Sequence, residues 1–551
     1  MLETLLASTP VEPPSELALD YMARLKRCGV RRAWPEALDI IAEMEIASVP
    51  ADSFHYTAAM TVAAKAGEWT EVLALLDKLV SSGAQPDLGC FNAALAACAA
   101  AGRPSEAEEV LERMPKCGVQ QTAAACTAVG KACSATGDWE GALRWFDEIE
   151  RRGLEPCYSD YKKAIQAATR GGALRRTVQL TTAAAALQPR EEQLEWLWRL
   201  HLTAQLRLLR EGLRDTLPAA DGEATSRLQR ALSSAAHNGT MPDFGSSGAR
   251  SGYALAHLVP RTSKLADLLQ LQEPAWLAPA AAAALAHATS DGGEAISLAG
   301  GPGFDLVVLA LLRRFGRLAR PAAADAMADA EDAGGMAGAG EVLSVRVLDY
   351  EAGWAAQVAA TEAALRTLLP SSPHDALSCG FGACDITRRL DDPANTALRS
   401  ALPRARLLVA SYCVAENARA LRRAEFGLFE DIFRDAAPGT LLVVLETTHR
   451  QFPAIVAAAR RGAGAARLDF DCPWVSSNNG FSLCLLKRAP DEPRPTTSSD
   501  GSSVEASVED LQRARRAEAV AEARLQALLE RFDRDDEVHA ASRGTRDAPR
   551  A

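Results

Sequence analysis

A repeat with a period of 35 residues runs across residues 18–188, and no other feature limits the fold as tightly. Tyr21, Tyr56, Phe91, Cys126 and Tyr161 form one column, and eleven residues later stand Arg32, Gly67, Gly102, Gly137 and Gly172. Between them a small column reads Cys28, Ala63, Cys98, Cys133 and Ala168. Beyond the glycines come Trp34, Trp69, Pro104, Trp139 and Leu174, then Ile41, Leu76, Leu111, Phe146 and Thr181, then Met44, Leu79, Met114, Ile149 and Ala184. This spacing predicts two amphipathic helices per unit, the first closed by its glycine as a C-cap. The small column, seven residues after the aromatic, lies on the same helical face and lets paired helices approach closely. Three cysteines are thereby packing residues. One hairpin cannot bury its apolar face alone, so the units must stack into an α-solenoid. Gly83, Gly118 and Gly153 mark the unit ends, and the fifth unit is degraded, as a terminal cap or an abutment to the next domain would be.

The pattern resembles the pentatricopeptide repeat family. The resemblance rests on the 35-residue spacing, on Pro86-Asp87-Leu-Gly-Cys-Phe-Asn92-Ala-Ala-Leu95, on Ala101-Gly-Arg-Pro-Ser-Glu-Ala107, on Val110-Leu-Glu-Arg-Met114 with Gly118, and on Gly137-Asp-Trp-Glu-Gly-Ala-Leu143. The rival tetratricopeptide signature, with period 34, is absent. What the resemblance implies is single-stranded RNA binding, one base per repeat, read by a few side chains. The reading residues would be the one after the aromatic and the last of the same repeat. Carried over, the pairs are Met22/Asp52, Thr57/Asp87, Asn92/Thr122, Thr127/Cys157 and Lys162/Glu192. Thr57/Asp87 resembles a guanine-type pair, Asn92 leans towards a pyrimidine, and the others depart from the common code. Residues 1–190 hold 20 Lys/Arg against 24 Asp/Glu, so phosphate attraction cannot come from overall charge. A helical array that binds protein is the alternative. The resemblance also implies an organelle, mitochondrion or plastid. Residues 1–10 lack the basic character of a transit peptide, which leaves cytosol or nucleus as the alternative, or a true start that is missing.

At 551 residues the chain has room for two to four domains, and 48% hydrophobic with 24% charged residues describes an ordinary globular composition. The net charge of −11 argues against a protein that coats nucleic acid by bulk electrostatics. No apolar run is long enough to span a bilayer. The twelve cysteines make no C-x-x-C pair and no cluster with zinc spacing, so no metal site is expected.

Residues 189–250 read as a connector, with a helix over Glu191–Glu211 and a polar loop at 238–248. Helices over Tyr253–Leu271 and Ala278–Ala288 then precede Ile296-Ser-Leu-Ala-Gly-Gly-Pro-Gly-Phe-Asp305: an apolar strand, a glycine turn and a helix start. Alternation follows across 251–488, interrupted by an Ala/Gly/Asp-rich insertion at 317–341, read as a flexible loop. Strands are expected at Val342–Leu348, Leu377–Phe381, Arg406–Ala410 and Thr440–Glu446, with helices at Gly353–Leu369, Glu416–Phe433 and Phe452–Arg461. Ala466–Asp471 and Phe481–Lys487 could close the sheet as an antiparallel pair. Such alternation indicates a doubly wound, mostly parallel, Rossmann-like sheet. Asp349 ends the second strand and Asp385 follows the third. Two loop carboxylates at the carboxyl edge, flanking a glycine turn, suit an adenosine-containing ligand. A nicotinamide site would want G-x-G-x-x-G, but Leu306 stands at the third glycine.

The layout resembles the class I S-adenosylmethionine-dependent methyltransferases, carried by Leu298-Ala-Gly-Gly-Pro-Gly303, Val347-Leu-Asp349, Gly382-Ala-Cys-Asp385, Leu407-Leu-Val-Ala-Ser-Tyr412 and Pro438-Gly-Thr-Leu-Leu442. By this resemblance Gly300, Gly301 and Gly303 would border the methionine part of S-adenosylmethionine, Asp349 would hold the ribose, and Asp385 would lie near the adenine amino group. Ser297 replaces the acid usual at the end of the first strand, and Ala299 replaces the first glycine. The segment after strand four lacks an N-P-P-Y type motif, and Cys413 reads as a core residue, so no catalytic residue or acceptor atom is assigned. Residues 489–551 read as a linker, a charged helix that could contact a protein partner, and a disordered tail. The reading is an RNA-binding solenoid joined to an RNA methyltransferase domain. The alternatives are a non-catalytic RNA-processing factor with a degenerate methyltransferase fold, and a scaffold with a protein methyl acceptor.

Overall fold

The structure is a computed structural model that describes residues 16–238, 242–270, 276–318, 342–369, 376–471 and 481–489. Nearly all of the 317–341 insertion and of the 489–551 tail, including its charged helix, lies outside the described residues. The chain divides into two compact units at the Gln205–Leu206 boundary.

The first unit is a helical array. Ten helices form five antiparallel pairs: Glu16–Arg31 with Trp34–Ile46, Ser53–Ala66 with Trp69–Ser81, Leu88–Ala101 with Pro104–Lys116, Ala123–Ala135 with Trp139–Arg151, and Tyr158–Arg170 with Leu174–Ala186. The sequence columns are its core. Cys28, Ala63, Cys98, Cys133 and Ala168 are all buried, as are Met44, Leu79, Met114, Ile149 and Ala184. The degraded column residue Thr181 is buried too; its hydroxyl bonds the Thr177 carbonyl at 2.8 Å and lies 3.0 Å from His201 Nδ1. Burial pushes the Cys98 thiol up to about 11, as expected of a packing residue.

The period also fixes backbone conformation. Gly67, Gly102, Gly137 and Gly172 all have positive φ, and so does Arg32 at 53° in the same column. Gly83, Gly118 and Gly153 are matched by Ser48 at 54° and Gln188 at 50°. The left-handed turn therefore persists even where the side chain opposes it.

The second unit begins inside the helix Glu191–Thr216, which outruns its expected end at Glu211. Helices Gly222–Asn238, Ser247–Leu268 and Leu277–His287 follow, the first of them not foreseen. The sheet then has seven strands: β1 (Glu294–Leu298), β2 (Leu343–Asp349), β3 (Leu377–Ala383), β4 (Ala405–Ser411), β5 (Leu441–Glu446), β6 (Leu468–Asp471) and β7 (Phe481–Lys487). Their order is β3-β2-β1-β4-β5-β7-β6. The first five are mutually parallel, and β7 runs antiparallel to both β5 and β6. β1 and β5 are buried along their whole length, as central parallel strands covered on both faces must be.

One expectation fails locally. Glu416–Phe433 is not one helix but two, Ala418–Arg423 and Gly427–Asp435. Glu425 and Phe426 between them adopt φ of 51° and 54°, which no right-handed helix accommodates. The kink turns Phe426, Leu428, Phe429, Ile432 and Phe433 into the core. Helical periodicity on both sides hid it.

A Cβ at Gly67 would meet no heavy atom within 4 Å, so that position isolates the backbone term. Gly67→Ala should lower stability by about 1 kcal/mol, and Arg32→Gly should raise it by a similar amount, because only glycine adopts positive φ without penalty. Urea unfolding followed by circular dichroism checks both signs.

Candidate functional site at the carboxyl edge and along the repeats

The β1 strand ends at Leu298, and Ala299 takes φ of 49° to start the turn. A Cβ at Gly300 would stand 2.1 Å from Ser297 Oγ and 2.9 Å from Val347, so glycine is required there by packing alone. Gly301 and Gly303 hold φ of 52° and 85°, which glycine adopts without penalty; added Cβ atoms would find Trp354 at 3.9 Å and Val358 at 3.6 Å as nearest neighbours. The Gly301 N–H donates to Asp349 Oδ2 at 2.9 Å, and the Glu351 N–H donates to Asp349 Oδ1 at 3.0 Å. The structure thus joins the glycine turn to the second-strand acid, as the spacing predicts. Asp349 is buried, which pushes its carboxyl up to about 6 against the pull of those N–H groups. Asp385 is more open. Its Oδ1 accepts from the Thr387 N–H at 2.9 Å and the Thr387 hydroxyl at 2.6 Å.

Sequence reasoning missed the acid at the centre of the edge. Asp305 opens the helix Phe304–Leu318 and is 2% exposed. The Ser297 hydroxyl donates to its Oδ2 at 2.7 Å, and the Ser411 hydroxyl donates to its Oδ1 at 2.9 Å. Ser297, on β1, is thus the hydrogen-bond donor to an acid that the following helix supplies.

Two further acids were also unassigned. Glu446 ends β5, buried, and the Val414 N–H donates to it. Burial raises it to about 7, and burial raises Glu416 to about 8 although Arg261 opposes the shift. Arg261, on the helix Ser247–Leu268, lies 5.1 Å from the Tyr253 ring centroid and 4.3 Å from that of Tyr412. Tyr412 itself has φ of 59° at the end of β4. Cys413 beside it is buried, its thiol pushed well above its ordinary value. Phe244, Tyr253 and Trp354 pack as an aromatic cluster with centroids 5.4–6.2 Å apart. Tyr350 joins it at 6.4 Å from Phe244 and remains 42% exposed. Four buried or half-buried carboxylates, Asp305, Asp349, Glu416 and Glu446, all feel each other or Arg261 here. A positive ligand suits such an edge; an anion does not.

In the repeats, the carried-over reading residues have a second duty. Asp52, Asp87 and Thr122 are N-caps: Asp52 accepts from the Phe54 and His55 N–H groups, Asp87 from the Cys90 N–H at 3.0 Å, and Thr122 from the Ala125 N–H at 3.2 Å. Thr57 Oγ1 lies 3.1 Å from Cys90 Sγ. Thr127 donates to Asp160 Oδ1 at 2.7 Å, while Asn92 is exposed. Leu19 and Phe54 stand two residues before the aromatic column, 56% and 68% exposed, and sequence reasoning overlooked them. Both are large apolar groups at matched repeat positions, the Phe54 ring with a face on which a base can stack, whereas Gly89, Ala124 and Ser159 stand at the equivalents.

Glu416 generates a stability test. Its folded-state pKa lies above the ordinary value of 4.5, so the folded chain holds this proton more tightly than the unfolded chain. That contribution is complete below pH 4.5 and is lost as pH rises through about 8. Glu416→Gln should melt within a degree or two of the parent at pH 5 and several degrees above it at pH 8.5. Parallel melting curves across that range would show a solvated side chain instead.

Residues 19–159 of the 551 match a family model described as the pentacotripeptide-repeat region of PRORP. The repeats are of the pentatricopeptide type. No curated protein matches the chain. Among solved structures the chain is similar to the PPR domain of Arabidopsis thaliana protein-only RNase P 1 in complex with tRNA, at 13% identity over 34% of this chain and 98% of that one, with a TM-score of 0.30. It is similar to the maize pentatricopeptide repeat protein PPR10 at 17% identity, over 57% of this chain and 49% of that one, with a TM-score of 0.29. Nuclear protein-only RNase P 2 of Arabidopsis thaliana matches at 12% identity, over 85% and 99%, with a TM-score of 0.29. The chain spans about half the length of the maize protein.

Proposed function

We propose that this protein binds single-stranded RNA through its pentatricopeptide-type repeats and methylates RNA with S-adenosylmethionine through its doubly wound domain. The observation that carries the second half is the carboxyl edge, where Asp349 meets the Gly301 N–H and acidic groups outnumber Arg261. The strand order β3-β2-β1-β4-β5-β7-β6, with β7 antiparallel, supports a class I methyltransferase reading. So does the identity of the ligand it would hold, because S-adenosylmethionine is a cation that wants carboxylates and no pyrophosphate site. When bound, the sulfonium supplies an electrophilic methyl group for transfer to a nucleophilic atom of RNA.

The chain's own groups have distinct tasks in this reading. Gly300, Gly301 and Gly303 let the backbone approach the ligand, Asp349 accepts from ribose hydroxyls with the lone pairs its two N–H donors leave over, and Tyr350 offers an exposed ring for the adenine. Asp385 sits at the more open end of the edge, within reach of an exocyclic amine. Asp305 and Glu416 supply negative charge near the sulfonium and ammonium. In the repeats, Thr57/Asp87, Asn92/Thr122 and Thr127 face successive bases, with Phe54 as a stacking surface and Leu19 as an apolar contact. The RNA-processing resemblance of the repeats makes an organelle or the nucleus the compartment to examine first. The competing reading, an RNA-binding factor whose sheet has lost catalysis, draws on Ala299, which must hold a left-handed conformation where the methyltransferase motif has glycine.

Calorimetry of the full chain with S-adenosylmethionine separates the readings. A cation binds best when Glu416 and Glu446 are ionised, so binding releases protons and affinity should rise about tenfold between pH 6 and pH 8. Transfer of labelled methyl to purified RNA should accompany it. Neither heat nor transfer at any pH would leave the non-catalytic factor standing. On the RNA side, Phe54→Ala should weaken binding of single-stranded RNA by about 1–3 kcal/mol in fluorescence anisotropy, the range for loss of one base–aromatic stack.

A further inference from the structure

Two of the first helices in the repeats meet the candidate reading residue of the preceding repeat through their third residue. Cys90 meets Thr57, and Asp160 meets Thr127, each pair 33 residues apart. At the matching place opposite Asn92 the residue is Ala125, which has nothing to offer. The fourth repeat is thus set apart by a carboxylate standing behind its candidate base-reading hydroxyl. Asp160 is 4% exposed, its Oδ1 takes the Thr127 hydroxyl proton at 2.7 Å, and its Oδ2 accepts the Cys157 N–H at 2.9 Å.

A threonine hydroxyl has one proton and two lone pairs. Where it is unconstrained, it rotates to donate or accept and so tolerates either edge of a base. Asp160 removes that freedom. With its only proton committed to a carboxylate, Thr127 Oγ1 can present lone pairs and nothing else. We propose that Asp160 is a specificity-setting positioning residue: by holding the Thr127 proton, it makes the fourth repeat select a base that carries an exocyclic amino group and disfavour uracil, whose exocyclic atoms are both carbonyl oxygens. Uracil's one edge donor, N3–H, lies between its two carbonyl oxygens, so a hydroxyl that can only accept meets a carbonyl lone pair on either side of that contact, and polar groups left facing like groups discriminate more strongly than a matched pair attracts. The partner position Cys157 is exposed, and Asp160, the third residue of the helix, accepts its N–H in the reciprocal half of a capping box.

The inference rests on the repeats binding single-stranded RNA. The test uses the full chain and single-stranded RNAs randomised over eight nucleotides, with bound and free pools sequenced. The parent protein should show one nucleotide at which adenine, cytosine or guanine is favoured over uracil by about tenfold. Asp160→Asn keeps an acceptor for the Cys157 N–H while freeing the threonine proton, and it should bring that ratio close to one, with preferences at other nucleotides and overall affinity within about twofold of the parent. Thr127→Val, which keeps the shape and deletes the hydroxyl, should abolish the same preference. A merely structural role would weaken every position together and lower the melting temperature. Unchanged base preference in Asp160→Asn, or no preference at any nucleotide in the parent, overturns the inference while RNA binding stands. No binding to any member of the pool overturns the RNA reading itself.

Discussion

A backbone N–H at the end of an element needs an acceptor, and this one requirement organises both units. In the repeats, Asp52, Asp87 and Thr122 stand one residue ahead of a helix and accept from its first-turn N–H groups. Asp160 does so from within the helix for Cys157. At the sheet edge, Asp349 accepts from Gly301 and Glu351, Asp385 from Thr387, and Glu446 from Val414. Each of these acids is first a structural acceptor for backbone. Removing one costs a cap of about 1 kcal/mol before any ligand is considered, so loss of activity on mutation must be weighed against loss of fold.

Asp305 is the exception, and it explains the centre of the sheet. Its two oxygens accept from hydroxyls on β1 and β4, the two adjacent central strands, rather than from backbone. A single side chain from the following helix thus pins that helix to both strands at their carboxyl ends. The geometry requires small hydroxyl donors on the strands, because a second carboxylate at Ser297 would repel Asp305 in a site with almost no solvent.

The repeats were legible because their signal is redundant. Six columns at one period fix helix pairing, the small contact positions and even the left-handed joints, and the backbone obeys the period at Arg32, Ser48 and Gln188 where the sequence does not. The sheet was legible from apolar runs with acids at their ends, and each foreseen strand appears within a few residues of its expected span. The kink at Glu425–Phe426 was not, because helical spacing continues on both sides of it and Gly427, which opens the second helix, does not by itself mark a break in such a pattern. Nor was Asp305, since an acid in the first turn of a helix is an ordinary residue until Ser297 and Ser411 are brought to it from 8 and 106 positions away. Arg261 between Tyr253 and Tyr412 is of the same kind, a juxtaposition across elements that no local window contains.

The dual use of the capping acids bears on how sharply such a chain can recognise anything. A carboxylate has about four lone-pair sites, and Asp349 gives one on each oxygen to a backbone N–H. The remaining pair is held in a fixed direction by those two bonds, so a ligand finds the acceptor already oriented and loses little entropy in using it. The same bonds drain negative charge from the carboxylate and oppose its burial, which leaves it nearer to ionisation than Glu416, where the only counterweight is Arg261 at a distance. Across the edge, then, Asp349 is best placed to orient a ligand, and Glu416 and Glu446, where burial outweighs Arg261 and, for Glu446, its backbone N–H donors, are best placed to change charge on binding. That division, rather than any single residue, is what gives the carboxyl edge both a rigid part and a responsive one.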